Sequence, residues 1–312
     1  MKKIIAILMA ALMCLTMTAM AESYTVGVCQ LVQHEALDAA TQGFVDALKA
    51  KLGDEVTIDI QNASGDSATC ITIVNNFLAD GVDLIMANAT PALQAAVAAT
   101  GDIPILGTSV TEYGTALDID DFSGVTGFNV SGTSDLAPLD GQAAMVKELF
   151  PEAKEIGLIS CSAEANSAYQ VKEMMKFLTD LGFNCTSYVF NDSNDVASVT
   201  ESAAAASDVI YIPTDNTAAS CAEAIRNVLE PAGVPAIVGE EGICKGCGVA
   251  TLSIDYYDLG SATGEMAAEI LANGADVSAM PIQYAPIFTK KYNAELCEIM
   301  GVSIPEDYVA IG

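Results

Sequence analysis

Short apolar runs alternate with longer amphipathic segments along most of the chain. Tyr24–Gln30 is short and mainly apolar, as a buried strand is, and residues 36–51 then place Leu37 and Phe44 on one face of a helix. The alternation continues to residue 109 and starts again at residue 135. Because parallel strands are joined by helical crossovers, the pattern predicts an α/β fold of two doubly wound parallel sheets in tandem.

Less regular segments lie between and after these two sets. Glycine, serine and threonine dominate residues 123–134, which we interpret as the boundary between the halves. Further expectations for the second half are helices over 135–149 and 217–229, a loop over 242–248, a connector over 252–255 and a strand over 281–289.

The first residues have the pattern of a secretory signal peptide. Lys2 and Lys3 precede an apolar stretch over residues 4–20, and small residues at 19 and 21 form a cleavage pattern. We therefore expect cleavage after Ala21 and an extracytoplasmic mature protein. A transmembrane anchor and a lipid anchor on Cys14 are less favoured alternatives, because the stretch is short for a membrane span and a methionine precedes Cys14.

Acidic residues far outnumber basic ones, 41 against 12, and the formal net charge is -29. Such a chain repels nucleic acid and anionic membrane surfaces, so neither is an expected partner. A hydrophobic content of 52% is enough to form a core, and the length suits two lobes of ~100–150 residues each. We predict a first lobe of residues 22–132 and 255–282, and a second lobe of residues 133–254 and 283–312.

Eight cysteines follow the signal peptide, scattered across predicted strands and helices. We expect free thiols rather than a disulfide framework, because buried thiols behave as small hydrophobic groups. Cys244 and Cys247 are a close pair, for which a local disulfide and two unpaired thiols both stay open. A zinc site lacks ligands, since His34 is the only histidine. No metal and no cofactor is expected.

Polar residues cluster where the predicted strands end. In open α/β sheets ligands bind beyond the carboxyl ends of the strands, and both halves place short hydrogen-bonding side chains there. Helix capping explains any one such residue, but the convergence of loops from both halves favours a ligand cleft. The candidate ligand-binding residues are Gln33, Asn88, Thr90, Ser109, Thr111, Asn166, Ser167, Asp215 and Glu240.

The residue types of this cleft favour an α-amino acid as ligand. The only arginine, Arg226, falls inside a predicted helix, so a ligand carboxylate would be held by helix N-termini and by hydroxyls such as Thr90 and Ser109. A ligand ammonium group would need a carboxylate, and Asp215 is the best placed. A sugar is the close alternative, although the chain has no tryptophan to stack on a pyranose ring. A nucleoside is a further alternative.

A series of short motifs runs in order through nearly the whole mature chain. They are Gln33-His34 with Ala36-Leu37-Asp38, Gln61-Asn62-Ala63 with Gly65-Asp66, Ala89-Thr90-Pro91-Ala92, Val125-Thr126-Gly127, Glu164-Ala165-Asn166-Ser167, residues 213–217 (PTDNT) and residues 254–260 (IDYYDLG). The set resembles the substrate-binding components of ABC transporters for tryptophan, tyrosine and related aromatic amino acids. This resemblance implies a type I periplasmic binding protein fold with three hinge crossings, and permease and ATPase subunits as partners. Two loops depart from the family pattern, at His34-Glu35 and at residues 110–113 (VTEY).

Other classes of protein fit the sequence less well. Glu240 and Glu241 point in opposite directions in an extended segment, which suits acid–base catalysis poorly. The sequence also has no Gly-x-Ser-x-Gly elbow, phosphate-binding loop or dinucleotide fingerprint. We therefore expect a monomeric binding protein rather than an enzyme, with a ligand sensor for a membrane receptor as an open alternative. Tyr256 is expected to pack at a hinge crossing, and ligand contact is its alternative role.

Overall fold

Residues 23–312, the part of the chain that the computed structural model describes, fold into two sheets flanked by helices. The predicted signal peptide, residues 1–21, lies outside the described residues. The strands are β1 (Tyr24–Gln30), β2 (Val56–Asn62), β3 (Leu84–Asn88), β4 (Ile105–Val110), β5 (Val130–Ser134), β6 (Glu155–Cys161), β7 (Asn184–Phe190), β8 (Val209–Ile212), β9 (Ala236–Val238), β10 (Ala250–Ser253), β11 (Gln283–Tyr284), β12 (Thr289–Tyr292) and β13 (Val309–Ala310).

Helices connect most of these strands. The α-helices are α1 (Glu35–Leu52), α2 (Ser67–Asp80), α3 (Thr90–Ala99), α4 (Tyr113–Leu117), α5 (Leu139–Leu149), α6 (Ala165–Asp180), α7 (Val196–Ala204), α8 (Asn216–Ser220), α9 (Ala222–Ala232), α10 (Glu241–Gly246), α11 (Tyr256–Asn273) and α12 (Ala294–Met300). Short 3-10 helices cover Gly53–Glu55 and Val277–Ala279.

Each sheet belongs to one lobe. The first has the strand order β11-β5-β4-β3-β1-β2, and its pairings are parallel. The second has the order β13-β12-β10-β9-β8-β6-β7, and there β12 runs antiparallel to β10. The predicted α/β fold of two doubly wound, mainly parallel sheets is confirmed.

Helices cover both faces of the first sheet, which explains why its central strands are apolar throughout. All five residues of β3 are buried, as parallel strands covered on both faces require. Helices α2 and α3 pack on one face, and α1 and α11 on the other. Helices α1 and α11 approach closely because glycines line their contact. A Cβ on Gly43 would lie 2.0 Å from the carbonyl oxygen of Tyr257, and a Cβ on Gly260 would lie 1.9 Å from that of Ala40.

Within residues 23–312 the chain passes between the sheets three times. It leaves the first sheet after β5, returns after β10, and leaves again between β11 and β12. Strand β5 ends at Ser134 and β11 ends at Tyr284, each two residues after a lobe boundary predicted from the sequence, at residues 132 and 282.

The first crossing between the sheets occupies residues 135–138, which the sequence predicted to be the start of a helix. Helix α5 begins at Leu139 rather than at residue 135, because Asp135 is still held to the first sheet. Its amide donates to the carbonyl of Val110 at 3.4 Å. Strand β5 was not predicted, since its sequence, VSGTS, has few large apolar residues, yet all five positions are buried.

Four segments of the second half also differ from expectation. The predicted helix over 217–229 is two helices, α8 and α9, which meet at Cys221, where φ is -112° and ψ is 14°. The predicted loop over 242–248 lies largely in α10, because the Glu240 carboxylate caps that helix. The predicted connector contains the end of β10, and the predicted strand over 281–289 is divided between β11 and β12 by the third crossing.

Candidate ligand-binding cleft

The carboxyl ends of the strands of both lobes border one cleft. Ser64 and Pro91 of the first lobe line the same cavity as Ala163 and Thr217 of the second, and the cavity has a volume of about 160 Å³. The lobes therefore meet at the edge where ligands of open α/β sheets bind.

Two hydroxyl groups of the first lobe are buried there without a partner. The Oγ1 of Thr90 and the Oγ of Ser109 have no hydrogen-bond partner among the described residues, and the two residues are 1% and 5% exposed. Thr90 is the first residue of α3, and Ser109 lies near the end of β4. A buried polar group without a partner costs free energy, so these hydroxyls are suited to a ligand.

The backbone beside both hydroxyls is strained. Ala89, which precedes Thr90, has φ 91° and ψ 157°, and Ser109 has φ 53°. Such positive φ values are uncommon for residues other than glycine and concentrate at ligand sites.

The other three first-lobe candidates have different surroundings. The Asn88 amide nitrogen donates to the Leu37 carbonyl (2.8 Å) and to the Thr41 hydroxyl (2.9 Å), so this side chain fastens β3 to α1. Thr111 is buried, and its carbonyl accepts from the Ser134 hydroxyl at 2.8 Å. Gln33 is exposed and lines an open groove between the lobes, together with Ser220 and Lys245 of the second lobe.

In the second lobe, Glu164 organises the loops that face the cleft. Its carboxylate accepts from the amides of Asn216 (3.0 Å) and Thr217 (2.8 Å) and from the side-chain nitrogen of Asn166 (3.2 Å). The Asn166 nitrogen also donates to the Thr214 carbonyl, at 3.1 Å. The Oδ1 of Asn166 is buried and has no partner among the described residues, so it is an acceptor held in place beside the cleft.

Asp215 is the N-terminal cap of α8. Its Oδ1 accepts from the Ala218 amide (2.8 Å), and its Oδ2 accepts from the Cys161 amide (2.7 Å). Burial, together with the nearby Glu164 carboxylate, raises the pKa of Asp215 to about 7. Both oxygens of the residue predicted to hold a ligand ammonium thus serve the backbone.

Ser167 and Glu240 are also buried and partnered. The Ser167 hydroxyl accepts from the Asn166 side chain at 3.3 Å and hydrogen-bonds to Asp215, which lowers the pKa of that carboxyl. The two Glu240 oxygens accept from the amides of Gly242 and Ile243, each at 2.6 Å, as the cap of α10. Burial raises the pKa of Glu240 to about 7.

Sequence reasoning missed Asp135, which the structure places at the first crossing. It is 3% exposed, and its Oδ2 accepts from the Tyr256 hydroxyl at 3.0 Å. Burial raises the pKa of Asp135 to about 6. Sequence reasoning could not place Asp135 at the end of a strand, because β5, the strand directly before it, was not predicted. Tyr256 packs at the hinge as expected, and it also holds this carboxylate.

Comparison with known proteins identifies the family. The model of the ABC transporter substrate binding protein family matches residues 25–311. The chain belongs to this family. It is a substrate-binding protein of the ABC transporter type, and small-molecule capture outside the cytoplasm is the function of that type.

Individual relatives agree over most of the chain. The tyrosine-binding protein of Clostridioides difficile (strain R20291) is 38% identical over 263 residues, which are 82% of this chain and 75% of that protein. The ABC domain from Streptococcus pneumoniae in complex with L-Trp is 31% identical, with a TM-score of 0.87 over 91% of this chain and 96% of that one. The ligand-free, open structure of a substrate-binding protein with adhesive properties from Clostridium difficile is 36% identical, with a TM-score of 0.70 over 92% of this chain and 99% of that one.

The lobes of this substrate-binding protein are arranged as in the ligand-bound relative. Its TM-score with the L-Trp complex exceeds that with the ligand-free, open structure, although the second protein has the higher sequence identity. A contact across the cleft is consistent with a closed form, since Lys245 Nζ lies 3.2 Å from the Glu35 carboxylate.

Residues 23–312 were also compared with the features of a metal site, of a disulfide framework and of a membrane span. That region contains no group of three or more histidine, cysteine, aspartate or glutamate side chains able to hold a metal ion. Its eight cysteines are unpaired in the structure. No helix within the same residues has the length and hydropathy of a membrane span.

Proposed function

We propose that this protein binds an aromatic L-α-amino acid between its lobes, outside the cytoplasm, and delivers it as a monomer to the permease and ATPase of an ABC importer. The observation that carries the proposal is the set of buried, unpaired polar atoms on Thr90, Ser109 and Asn166, contributed by both lobes. A polar ligand that spans the cleft would satisfy them together, whereas an apolar ligand would leave each one unpaired.

Hydroxyls and helix termini suit a ligand carboxylate here. The first amides of a helix lack partners within the helix, and Thr90 begins α3, so its hydroxyl and the amides of Thr90 and Ala92 suit an anion. Pro91 between them has no N–H, and the Ala89 amide donates to the Thr108 carbonyl at 3.0 Å. An arginine fork does not compete, because Arg226 is engaged by Glu230 and Glu295, each at 2.7 Å.

The relatives support an aromatic side chain on the ligand. One curated relative is a tyrosine-binding protein, and one solved relative holds L-Trp. Binding would proceed by docking on one lobe followed by hinge closure, which excludes water and strengthens each charged hydrogen bond.

A thermal-shift screen of the mature protein tests the ligand class, with the twenty amino acids, a sugar panel and nucleosides as probes. At one hundred times Kd, binding to the folded state should raise the Tm by about 5–10 °C, and we expect this for tyrosine or tryptophan. A shift with sugars or nucleosides alone would overturn the proposal. So would the absence of any shift for a protein that native mass spectrometry shows to be free of ligand.

Two further measurements test the proposed contact of Thr90 with the ligand and the expectation that the protein leaves its ligand chemically unaltered. Thr90→Val removes a hydroxyl with little change of shape, and we expect affinity to fall about 10- to 150-fold if that hydroxyl binds a carboxylate. Thr72→Val, on the exposed face of α2, is the matched control and should leave affinity unchanged. NMR of the bound amino acid after release should show it unaltered, as a binding protein requires.

A further inference from the structure

Asp135 carries a buried carboxylate oxygen that no described residue meets in hydrogen-bond geometry, although the Thr111 hydroxyl lies close enough to lower the pKa of the carboxyl. Its Oδ2 accepts from the Tyr256 hydroxyl at 3.0 Å, while its Oδ1 is buried without a hydrogen-bond partner. The residue follows β5 directly, and its amide is tied to the Val110 carbonyl at the end of β4. Its position is therefore set by the first sheet.

The Asp135 carboxylate lies where the two lobes meet. The Thr111 hydroxyl interacts with the Asp135 carboxylate and lowers its pKa, in opposition to burial. Tyr256, which holds the other oxygen, interacts in turn with Thr214 and Glu240 of the second lobe. Asp135 thus lies between the Ser109–Thr111 loop of the first lobe and the cleft-facing loops of the second.

The other buried carboxylates near the cleft have their oxygens occupied. Glu240 caps α10 by accepting from two of its amides. Asp215 accepts from one amide of α8, as its cap, and from the Cys161 amide at the end of β6. Glu164 accepts from the amides of Asn216 and Thr217 and from side chains on the same loops. Removing these carboxylates from their backbone donors to bind a ligand would leave buried N–H groups unsatisfied.

A second acceptor completes the pattern. The nitrogen of the Asn166 amide donates to Glu164 and to the Thr214 carbonyl, so its unpaired Oδ1 can only accept. Two buried acceptors, one of them a carboxylate, require a ligand group that donates several hydrogen bonds and carries positive charge.

We propose that Asp135, rather than Asp215, pairs with the ammonium group of the ligand, with Asn166 Oδ1 as a further acceptor. The inference rests on the proposed function, since it supposes an α-amino acid in the cleft. Tyr256 then acts as a positioning residue that orients the carboxylate through its hydroxyl. An ammonium group compensates the buried negative charge, which otherwise lacks a cationic partner.

Calorimetry with two probes separates this role from a structural one. L-tryptophan carries the ammonium group, and indole-3-propionate is the same molecule without it. For Asp135→Asn we expect the affinity for L-tryptophan to fall at least about 30-fold and that for indole-3-propionate to change less than about 3-fold. Asp140→Asn, an exposed aspartate shortly after the same crossing, is the control and should change neither affinity. Equal effects of Asp135→Asn on both probes would overturn the assignment.

The crystal structure of the wild-type protein with L-tryptophan gives an independent answer if Asp135→Asn does not fold. The ligand nitrogen is expected within about 3 Å of Asp135 Oδ1. A ligand nitrogen against Asp215 or Glu240 instead would overturn the assignment and keep the amino-acid function. If wild-type protein binds neither tyrosine nor tryptophan, the proposed function itself fails.

Discussion

The Nε2 of His34 lies 3.2 Å from the Oδ1 of Asn216, and this hydrogen bond joins the two lobes across the cleft. His34 follows β1 in the first lobe, and Asn216 begins α8 in the second. The Glu164 carboxylate fixes Asn216 by accepting from its backbone and side-chain nitrogens, at 3.0 and 2.6 Å. The contact therefore holds the two lobes together in the arrangement that this structure has.

His34→Ala should weaken the closed state without weakening either lobe. A net hydrogen bond is worth about 0.5–1.5 kcal/mol, so ligand dissociation should become about 2- to 10-fold faster. Lys245→Ala removes the exposed pair with Glu35 across the same cleft, and exposed pairs contribute little, so its effect should be smaller. Stopped-flow dissociation of L-tryptophan measures both, and equal rates for the two variants would contradict the role given to His34.

Acidification is predicted to stabilise the ligand-free protein between about pH 7.5 and pH 5. Burial raises the pKa values of Asp135, Asp215 and Glu240 to about 6, 7 and 7. The folded state therefore binds protons that the unfolded state releases. The stabilisation is complete below the unfolded values near 4 and is lost as pH rises through 6–7. Burial lowers the pKa of His34, so protonation of this histidine on acidification favours the unfolded state. We expect the three carboxyl groups together to outweigh the one histidine.

Thermal unfolding across that pH range checks the sign. The Tm should rise on acidification, and Glu240→Gln, which cannot titrate, should show a shallower rise than wild type. A Tm that falls steadily from pH 7.5 to pH 5 would show that these carboxyls are ionised in the folded protein.

Gly260→Ala should be strongly destabilising, because α1 and α11 leave no room for a methyl group. Its Cβ would lie 1.9 Å from the Ala40 carbonyl oxygen, and helix backbones cannot yield without losing contacts along their length. Overpacking of this kind costs about 1–3 kcal/mol or more, so we expect the Tm to fall by several degrees. Gly101→Ala, where nothing lies within 4 Å of the new Cβ, is the matched control and should stay close to wild type. A similar Tm for both variants would mean that the helices separate easily.

The pattern of apolar and polar residues was enough to predict an element wherever contacts with the rest of the fold do not change its local conformation. The predicted strand Tyr24–Gln30 is the observed one, because its apolar residues are buried by helices on both sides. Strand β5 was hidden, since small residues fill it where Tyr113 and β4 pack closely: a Cβ on Gly132 would lie 2.0 Å from the Gly107 carbonyl oxygen. The break at Cys221 has no glycine or proline beside it to mark it, so the sequence predicts one continuous helix there.

The position of the candidate cleft follows from the topology more than from the chemistry of single residues. Thr90, Ser109 and Asn166 lie at or just beyond the carboxyl ends of strands, as the alternation of strands and helices predicts, and their contact with a ligand stays a prediction. Which acidic group is free depends on backbone amides that only the folded chain supplies. Asp215 appeared to be the free carboxylate from sequence, yet the amides of Ala218 and Cys161 occupy both of its oxygens.

Because the backbone at Ala89 is strained, replacement of this residue by glycine should cost little stability. Its φ of 91° with ψ of 157° is a region used mainly by glycine, and holding alanine there costs about 1–3 kcal/mol. Relief of that strain offsets the lost burial of a methyl group, about 0.8 kcal/mol, and the entropy of a flexible residue, about 0.5–1 kcal/mol. Ala89→Gly should therefore lower the free energy of unfolding by less than about 1 kcal/mol, or raise it.

Ala96→Gly is the matched variant, because Ala96 is equally buried and packs in the same core, but it lies inside α3 with no strain to relieve. It should lower the free energy of unfolding by about 1.5–2 kcal/mol. Urea denaturation of both variants gives the difference directly. If Ala89→Gly costs as much as Ala96→Gly, the backbone before Thr90 stores no strain, and the loop that positions its hydroxyl is relaxed. If it costs much less, the fold holds this loop in place against its local preference, as expected of a preorganised ligand site.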